Sequence, residues 1–101
     1  MKKYEAMFIL DEHQVEDQGN AFSEEFKKFA EGLGAKIDEI LPMGKRQFTY
    51  EIKKKKAGIY WDFLITADPA SIQPIKSKYR LDERILRMRI FGIDDKQGKK
   101  F

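Results

Sequence analysis

The chain has 101 residues, of which 42% are hydrophobic, 13% aromatic and 37% charged, and it contains no cysteine. That length carries one domain with a genuine core, and the missing cysteines exclude disulfides, thiolate nucleophiles and zinc–thiolate sites. No apolar run approaches the roughly 18 residues of a membrane span, and the N-terminal MKKYEAMFILDEH is too charged for a secretory signal, so a cytoplasmic protein is expected.

The net charge of +3 hides a polarised distribution. Residues 11–31 hold seven acids and two lysines, residues 45–56 six bases and one acid, and residues 84–101 six bases and two acids. Two basic segments within so modest a total point to local contact with an anionic partner rather than wholesale wrapping of nucleic acid.

Tyr4, Ala6, Phe8 and Leu10 alternate with Lys3, Glu5, Met7 and Ile9, the period of a strand whose even positions face the core. The period then changes. Val15, Phe22, Phe26, Phe29, Ala30 and Leu33 form one helical stripe, with Gly19 marking an irregular first turn and Gly32 and Gly34 bracketing the end. Ala35, Ile37 and Ile40 begin a second strand, which LPMG interrupts as a bulge or edge feature. Phe48, Tyr50 and Ile52 then alternate again and are expected to feed the core, and KKKKAG makes a turn. In the third strand Ile59, Trp61, Phe63, Ile65 and Ala67 point inward, and Tyr60, Asp62, Leu64 and Thr66 outward. Asp68 and Pro69 open a second helix carrying Ile72, Ile75 and Tyr79 on one side. Leu86, Met88 and Ile90 alternate with Arg87, Arg89 and Phe91 in a last strand.

The order β-α-β-β-α-β predicts an α+β, ferredoxin-like fold: a four-stranded antiparallel sheet with two helices on one face. One domain is expected over residues 1–93, followed by a flexible C-terminal tail at 94–101, where the pattern has no period.

Little in the chain suggests catalysis. His13 stands beside Asp11 and Glu12 at the first strand–helix junction, but no second histidine or cysteine completes a metal site, so a solvated helix entry is the simpler reading. Gly32 and Gly34 follow a helix, whereas phosphate-binding glycines open one. Ser23, Ser71 and Ser77 have no histidine near them in sequence, and Asp94 and Asp95 read as solvation. No catalytic residue, metal or cofactor is assigned. The competing reading is a dimeric ferredoxin-like enzyme or ligand-binding protein, with His13 and Tyr60 in a pocket over the sheet.

The binding features are stronger. Arg87 and Arg89 alternate with core residues, so both guanidiniums emerge on the open face of the sheet, where Lys3 joins them if the fourth strand lies beside the first. The lysine turn is exposed, and like charges there also keep a sheet edge soluble. IYWDFLIT lacks the glycines and basic lead of the RNA-recognition-motif fingerprint.

KKYEAMFIL, GAKIDEI, GKRQFTYEI and KSKYRLDERILRMRIF fall in the order and spacing of a known family. The chain resembles, over about residues 2–92, the sixth protein of the bacterial small ribosomal subunit. The family signature, a glycine, a basic residue, an apolar and a small residue, tyrosine and isoleucine, is matched by Gly44, Arg46, Phe48, Thr49, Tyr50 and Ile52. Phe48, Thr49 and Glu51 depart from its usual leucine, alanine or serine, and proline, which marks a divergent member. The resemblance implies a non-enzymatic protein, monomeric when free, that binds the central domain of small-subunit ribosomal RNA jointly with the eighteenth small-subunit protein. It sets Lys2 and Lys3 in the family's basic N-terminus and Arg87 at a fourth-strand arginine. Arg89, Arg46, Lys54 and Lys55 are assigned to the same RNA surface. Outward-facing Met7, Ile9, Tyr60 and Leu64 are assigned to the protein partner.

Overall fold

The structure is a computed structural model that describes residues 1–93; the segment expected as a tail, 94–101, lies outside the described residues. The elements are β1 (Lys2–Leu10), α1 (Asn20–Gly32), β2 (Lys36–Ile52), β3 (Lys55–Ala67), α2 (Ile72–Tyr79) and β4 (Ile85–Gly92). The strands form one sheet in the order β2-β3-β1-β4, with every neighbouring pair antiparallel. This is the ferredoxin-like arrangement that the element order predicts.

Both helices lie on one face. Ala6, Phe8 and Leu10 of β1, and Ile59, Trp61, Phe63, Ile65 and Ala67 of β3, meet Phe22, Phe26 and Ala30 of α1 and Ile75 and Tyr79 of α2. Phe8 is the centre of this core. Its ring lies 5.0 Å from Phe22, 5.1 Å from Phe26 and 5.8 Å from both Phe63 and Tyr79, each edge-on. Edge-to-face pairs set the positive ring rim against the negative face of a neighbour and add to the gain from burial.

The irregular entry to α1 is fixed by a close approach. Gly19 has φ +88°, and a Cβ there would stand 2.7 Å from Leu10 and 2.9 Å from Trp61. The chain passes over Trp61, whose Nε1 donates to the Gln18 carbonyl at 2.9 Å. At the far end Gly34, φ +91°, lets the chain leave the helix. Asp68 caps the short turn before α2 by accepting from the Ala70 N–H at 2.9 Å.

β2 differs from the expectation. It runs for 17 residues, with LPMG a bulge within it as expected, but two further register shifts were not foreseen. Register shifts occur between Ile37 and Glu39, between Pro42 and Gly44, and between Gln47 and Ile52. Each inserts residues on β2 without a partner on β3, and the strand's alternation changes phase. Past the second bulge, Gly44 and Arg46 lie opposite Tyr60 and Gly58 on the open face. Phe48, Tyr50 and Ile52 therefore do not enter the helix-side core: Tyr50 is 82% exposed, and Phe48 and Ile52 are half-buried.

Candidate nucleic-acid interface

The open face of the sheet is built from odd positions of β1 and β4 and even positions of β3. Arg89 lies opposite Met7 and Arg87 opposite Ile9, while Lys3 lies opposite Thr66 further along β1. The expected cationic margin is thus assembled: Lys3, Arg87 and Arg89 share one face, and none makes an ion pair among the described residues. Lys2 pairs with Ala67, an inward position, and so belongs to the opposite side of the strand from Lys3.

The lysine run is a tighter device than a loose basic turn. Only Lys53 and Lys54 form the connection, with φ +52° and +68°, and Ile52 pairs with Lys55 across it. Positive φ at both central residues is the requirement of a two-residue type I′ hairpin, normally met by Asn-Gly. The tip curls over the open face. Lys53 Nζ donates to the Ile85 carbonyl of β4 at 3.5 Å, Lys55 Nζ lies 3.5 Å from Asp11 Oδ2, and Lys45 Nζ lies 3.0 Å from Glu12 Oε1. Asp11 is buried and also accepts from the His13 N–H at 3.0 Å. Lys55, expected on the RNA surface, is therefore engaged within the fold, while Lys54 stays exposed at the tip. Arg46 is exposed on the open face, with Nε 3.5 Å from the Met43 carbonyl.

The curl also changes the expected protein surface. Phe48, Tyr50, Ile52, Tyr60 and Arg87 line a hollow of about 290 Å³ between the hairpin and β4. A Cβ on Gly58 would stand 2.7 Å from Ile9 and 2.9 Å from Phe48, so these two side chains close over that glycine. Ile9 is consequently 5% exposed and unavailable to a partner. Met7, Tyr60 and Leu64 remain half-exposed, with Tyr60 edge-on to Phe48 at 6.2 Å.

Arg84, counted among the basic C-terminal segment, is neutralised. Its guanidinium donates to Asp82 Oδ2 at 2.6 Å, lies 3.1 Å from Glu25 Oε1 and sits 5.0 Å from the Phe22 ring centre. Its hydrogen bonds hold the Glu25 and Asp82 carboxyls below their ordinary range. Burial, and then Glu25, raise the Tyr79 hydroxyl, which donates to Glu25 at 3.2 Å.

His13 is exposed, with Nε2 4.0 Å from Glu12, and no group of three metal-ligating side chains occurs among the described residues. His13 does not line the hollow that Tyr60 lines. No helix among the described residues is long and apolar enough to cross a membrane.

One pair of residues was not foreseen as a site. Asp62 points to the open face as expected, yet is only 6% exposed, and its Oδ1 has no hydrogen-bond partner. Burial, a proton shared with Glu5 and the Glu5 charge together push its carboxyl up to about 7. A lone acid in the apolar run IYWDFLIT was the visible signal.

Residues 3–91 match the family described as ribosomal protein S6. The chain is 38% identical over 97 residues to small ribosomal subunit protein bS6 of Helicobacter hepaticus, spanning 96% of this chain and 71% of that one. It is 34% identical over 90 residues to bS6 of Cutibacterium acnes, spanning 89% and 94%. The crystal structure of 30S ribosomal protein S6 from Thermotoga maritima superposes with a TM-score of 0.88 at 33% identity, over 96% of this chain and 92% of that one. With fold, signature strand and sequence agreeing over nearly the whole described length, the chain belongs to the ribosomal protein S6 family, whose members are structural proteins and not enzymes.

Proposed function

We propose that the chain is a structural component of the bacterial small ribosomal subunit, working in the cytoplasm. It binds the central domain of small-subunit ribosomal RNA together with the eighteenth small-subunit protein and is monomeric when free. The observation that carries this reading is the division of the open face. Lys3, Arg87 and Arg89 form an unpaired cationic margin on β1 and β4, beside a half-exposed apolar centre of Met7, Tyr60 and Leu64. The margin suits phosphate, with two guanidiniums able to make bidentate contacts. The centre suits a protein surface.

The charge available is small. Lys45 and Lys55 are held by Glu12 and Asp11, so Lys3, Arg87 and Arg89 supply the contacts of the open face, Lys2 adds one from the other side of β1, and Lys54 and Arg46 lie further off on the hairpin. About four neutralised phosphates give a salt slope of roughly 3–4, which makes a complex that fades at physiological salt. A second protein on the same RNA adds contacts and raises the effective concentration. The test is a titration on the central-domain RNA at two salt concentrations, with and without the purified partner. Joint binding should be tight and lost in Arg87→Ala/Arg89→Ala. Nanomolar binding by the lone protein at physiological salt, or a double variant that joins the complex normally, refutes the reading.

A further inference from the structure

We propose that Glu5 and Asp62, at the centre of the open sheet face, seat one arginine side chain of the protein that docks there. This rests on the reading that a protein partner covers the face, and it names the contact that fixes that partner.

Asp62 is more than nine-tenths buried, and its Oδ1 has no hydrogen-bond partner. Buried polar atoms are nearly always satisfied, and an orphan on a face that docks another molecule marks where a donor arrives. The register defines the seat. Met7 of β1 and Leu41 of β2 lie directly opposite Asp62, Tyr60 and Leu64 flank it along β3, and Glu5, opposite Leu64, is its diagonal neighbour. Two carboxyls thus stand within an apolar ring, where a docking surface would exclude water and strengthen any charge-assisted hydrogen bond.

The fold brings no cation to the seat among the described residues. The charged groups on this face are Lys3 and Glu5 of β1, Arg87 and Arg89 of β4, and Lys36, Asp38, Glu39 and Arg46 of β2, with Asp38 accepting from the Thr66 hydroxyl at 2.6 Å and Lys53 reaching over the start of β4. None forms an ion pair with Asp62 among the described residues, although Arg89 is only one strand further across. Phosphate is repelled by two acids, so the occupant is not RNA. A metal would need a further ligand, and no such group of three exists among the described residues. A guanidinium fits best: its planar fork bonds two carboxyls at once, and it sheds water more readily than an ammonium. While the seat is vacant, a proton held by the pair lets Asp62 tolerate burial, since its carboxyl is raised to about 7. An arriving arginine displaces that proton.

The test is calorimetric titration of the purified chain with the purified eighteenth small-subunit protein, in buffers of different ionisation enthalpy. Binding to the wild type should release protons, more at pH 6 than at pH 8. Asp62→Asn should release none and bind at least about tenfold more weakly, and Glu5→Gln should weaken binding in the same direction. If both variants bind as tightly as the wild type, or if the wild type releases no proton, the arginine seat is wrong. Tyr60→Ala/Leu64→Ala decides the docking reading separately. If that variant binds normally, or if the partner does not bind the wild type, the partner does not cover the face and both proposals fall. If it weakens binding while Asp62→Asn does not, only the seat falls.

Discussion

Replacing Asp62 by asparagine should make the free protein more stable, by an amount that depends on pH. The carboxyl has an ordinary value of 3.8 and is pushed up to about 7 in the fold, first by burial and then by Glu5. The folded state thus holds a proton that the unfolded chain releases between these values. The stabilising contribution is full below pH 3.8, declines as pH rises, and is gone above about 7. At about 1.4 kcal/mol per unit, the ceiling on the loss is about 4 kcal/mol, and relaxation with partial hydration brings the expected value to about 2–4 kcal/mol. Glu25 and Asp82 act in the opposite sense. Held down by Arg84, they contribute stability above their ordinary values of 4.5 and 3.8 that is lost as pH falls. Wild-type stability should therefore peak between about pH 4 and 4.5 and fall until about pH 7. Asp62→Asn should hold a plateau over that range, and Glu5→Gln should show a reduced slope because the like charge is gone. Urea denaturation between pH 4 and 8.5, read by fluorescence of the single tryptophan Trp61, measures all three. Parallel pH profiles for wild type and Asp62→Asn, or a variant less stable at pH 8, would refute the reasoning.

Phe26→Ala removes a fully buried ring whose centre lies 4.5 Å from Phe63 and 5.1 Å from Phe8, and should destabilise the protein by about 3–5 kcal/mol; a urea midpoint near wild type would contradict the packing of α1. Gly58→Ala must push apart Ile9 and Phe48, which a Cβ would meet at 2.7 and 2.9 Å, and should cost about 1–3 kcal/mol, whereas Gly32→Ala, with open space around it, should be neutral or slightly stabilising. Thermal melts of the two variants should order them that way. His13→Ala should leave both the melting temperature and incorporation into small subunits unchanged, because the ring is exposed and completes no site; loss of incorporation at normal stability would show a role for it.

Local alternation made most of the fold legible. The inward faces of β1 and β3, the stripe of α1 from Phe22 to Ala30 and the Asp68–Pro69 entry to α2 depend on residues near one another in sequence and stand where their periods put them, whereas Val15, expected on the same stripe, lies before the helix. β2 did not follow because a bulge changes phase without changing composition. Ile37 and Ile40 both face inward although three positions apart, and Tyr50 turns outward because Phe48–Glu51 face a single β3 residue, Lys56, between the pairs Gln47–Ala57 and Ile52–Lys55. The site was legible in the same measure. Arg87, Arg89 and Lys3 share a face by period two alone. The burial of Ile9 and the pairing of Lys55 with Asp11 required the hairpin to curl back onto β1 and β4, which no local pattern records. Asp62 was legible as outward but not as buried, since Leu41, Met7 and Glu5 come to it from two other strands.

That curl changes the meaning of the chain's charge pattern. The acids of residues 11–31 and the bases of residues 45–56 look like two opposed surfaces, yet Lys45–Glu12 and Lys55–Asp11 join them inside one molecule. Arg84 is likewise consumed by Glu25 and Asp82. What remains on the open face is a basic margin and an acidic pair set in apolar surroundings, a few strands' width apart. Without a counter-charge, the acid pair repels the phosphates that the margin attracts. On the proposed reading, an arginine from the protein partner cancels that repulsion as it docks, so the partner favours RNA binding even before it touches RNA itself. Linkage makes the effect reciprocal: RNA on the margin must favour the partner by the same factor. Asp62→Asn, neutral at every pH, should then strengthen RNA binding by the lone chain while weakening the partner's, a pair of opposite effects that simple loss of folding does not produce. Electrophoretic titration of the central-domain RNA with the two forms reads the first effect, and equal RNA affinity at low salt would refute it.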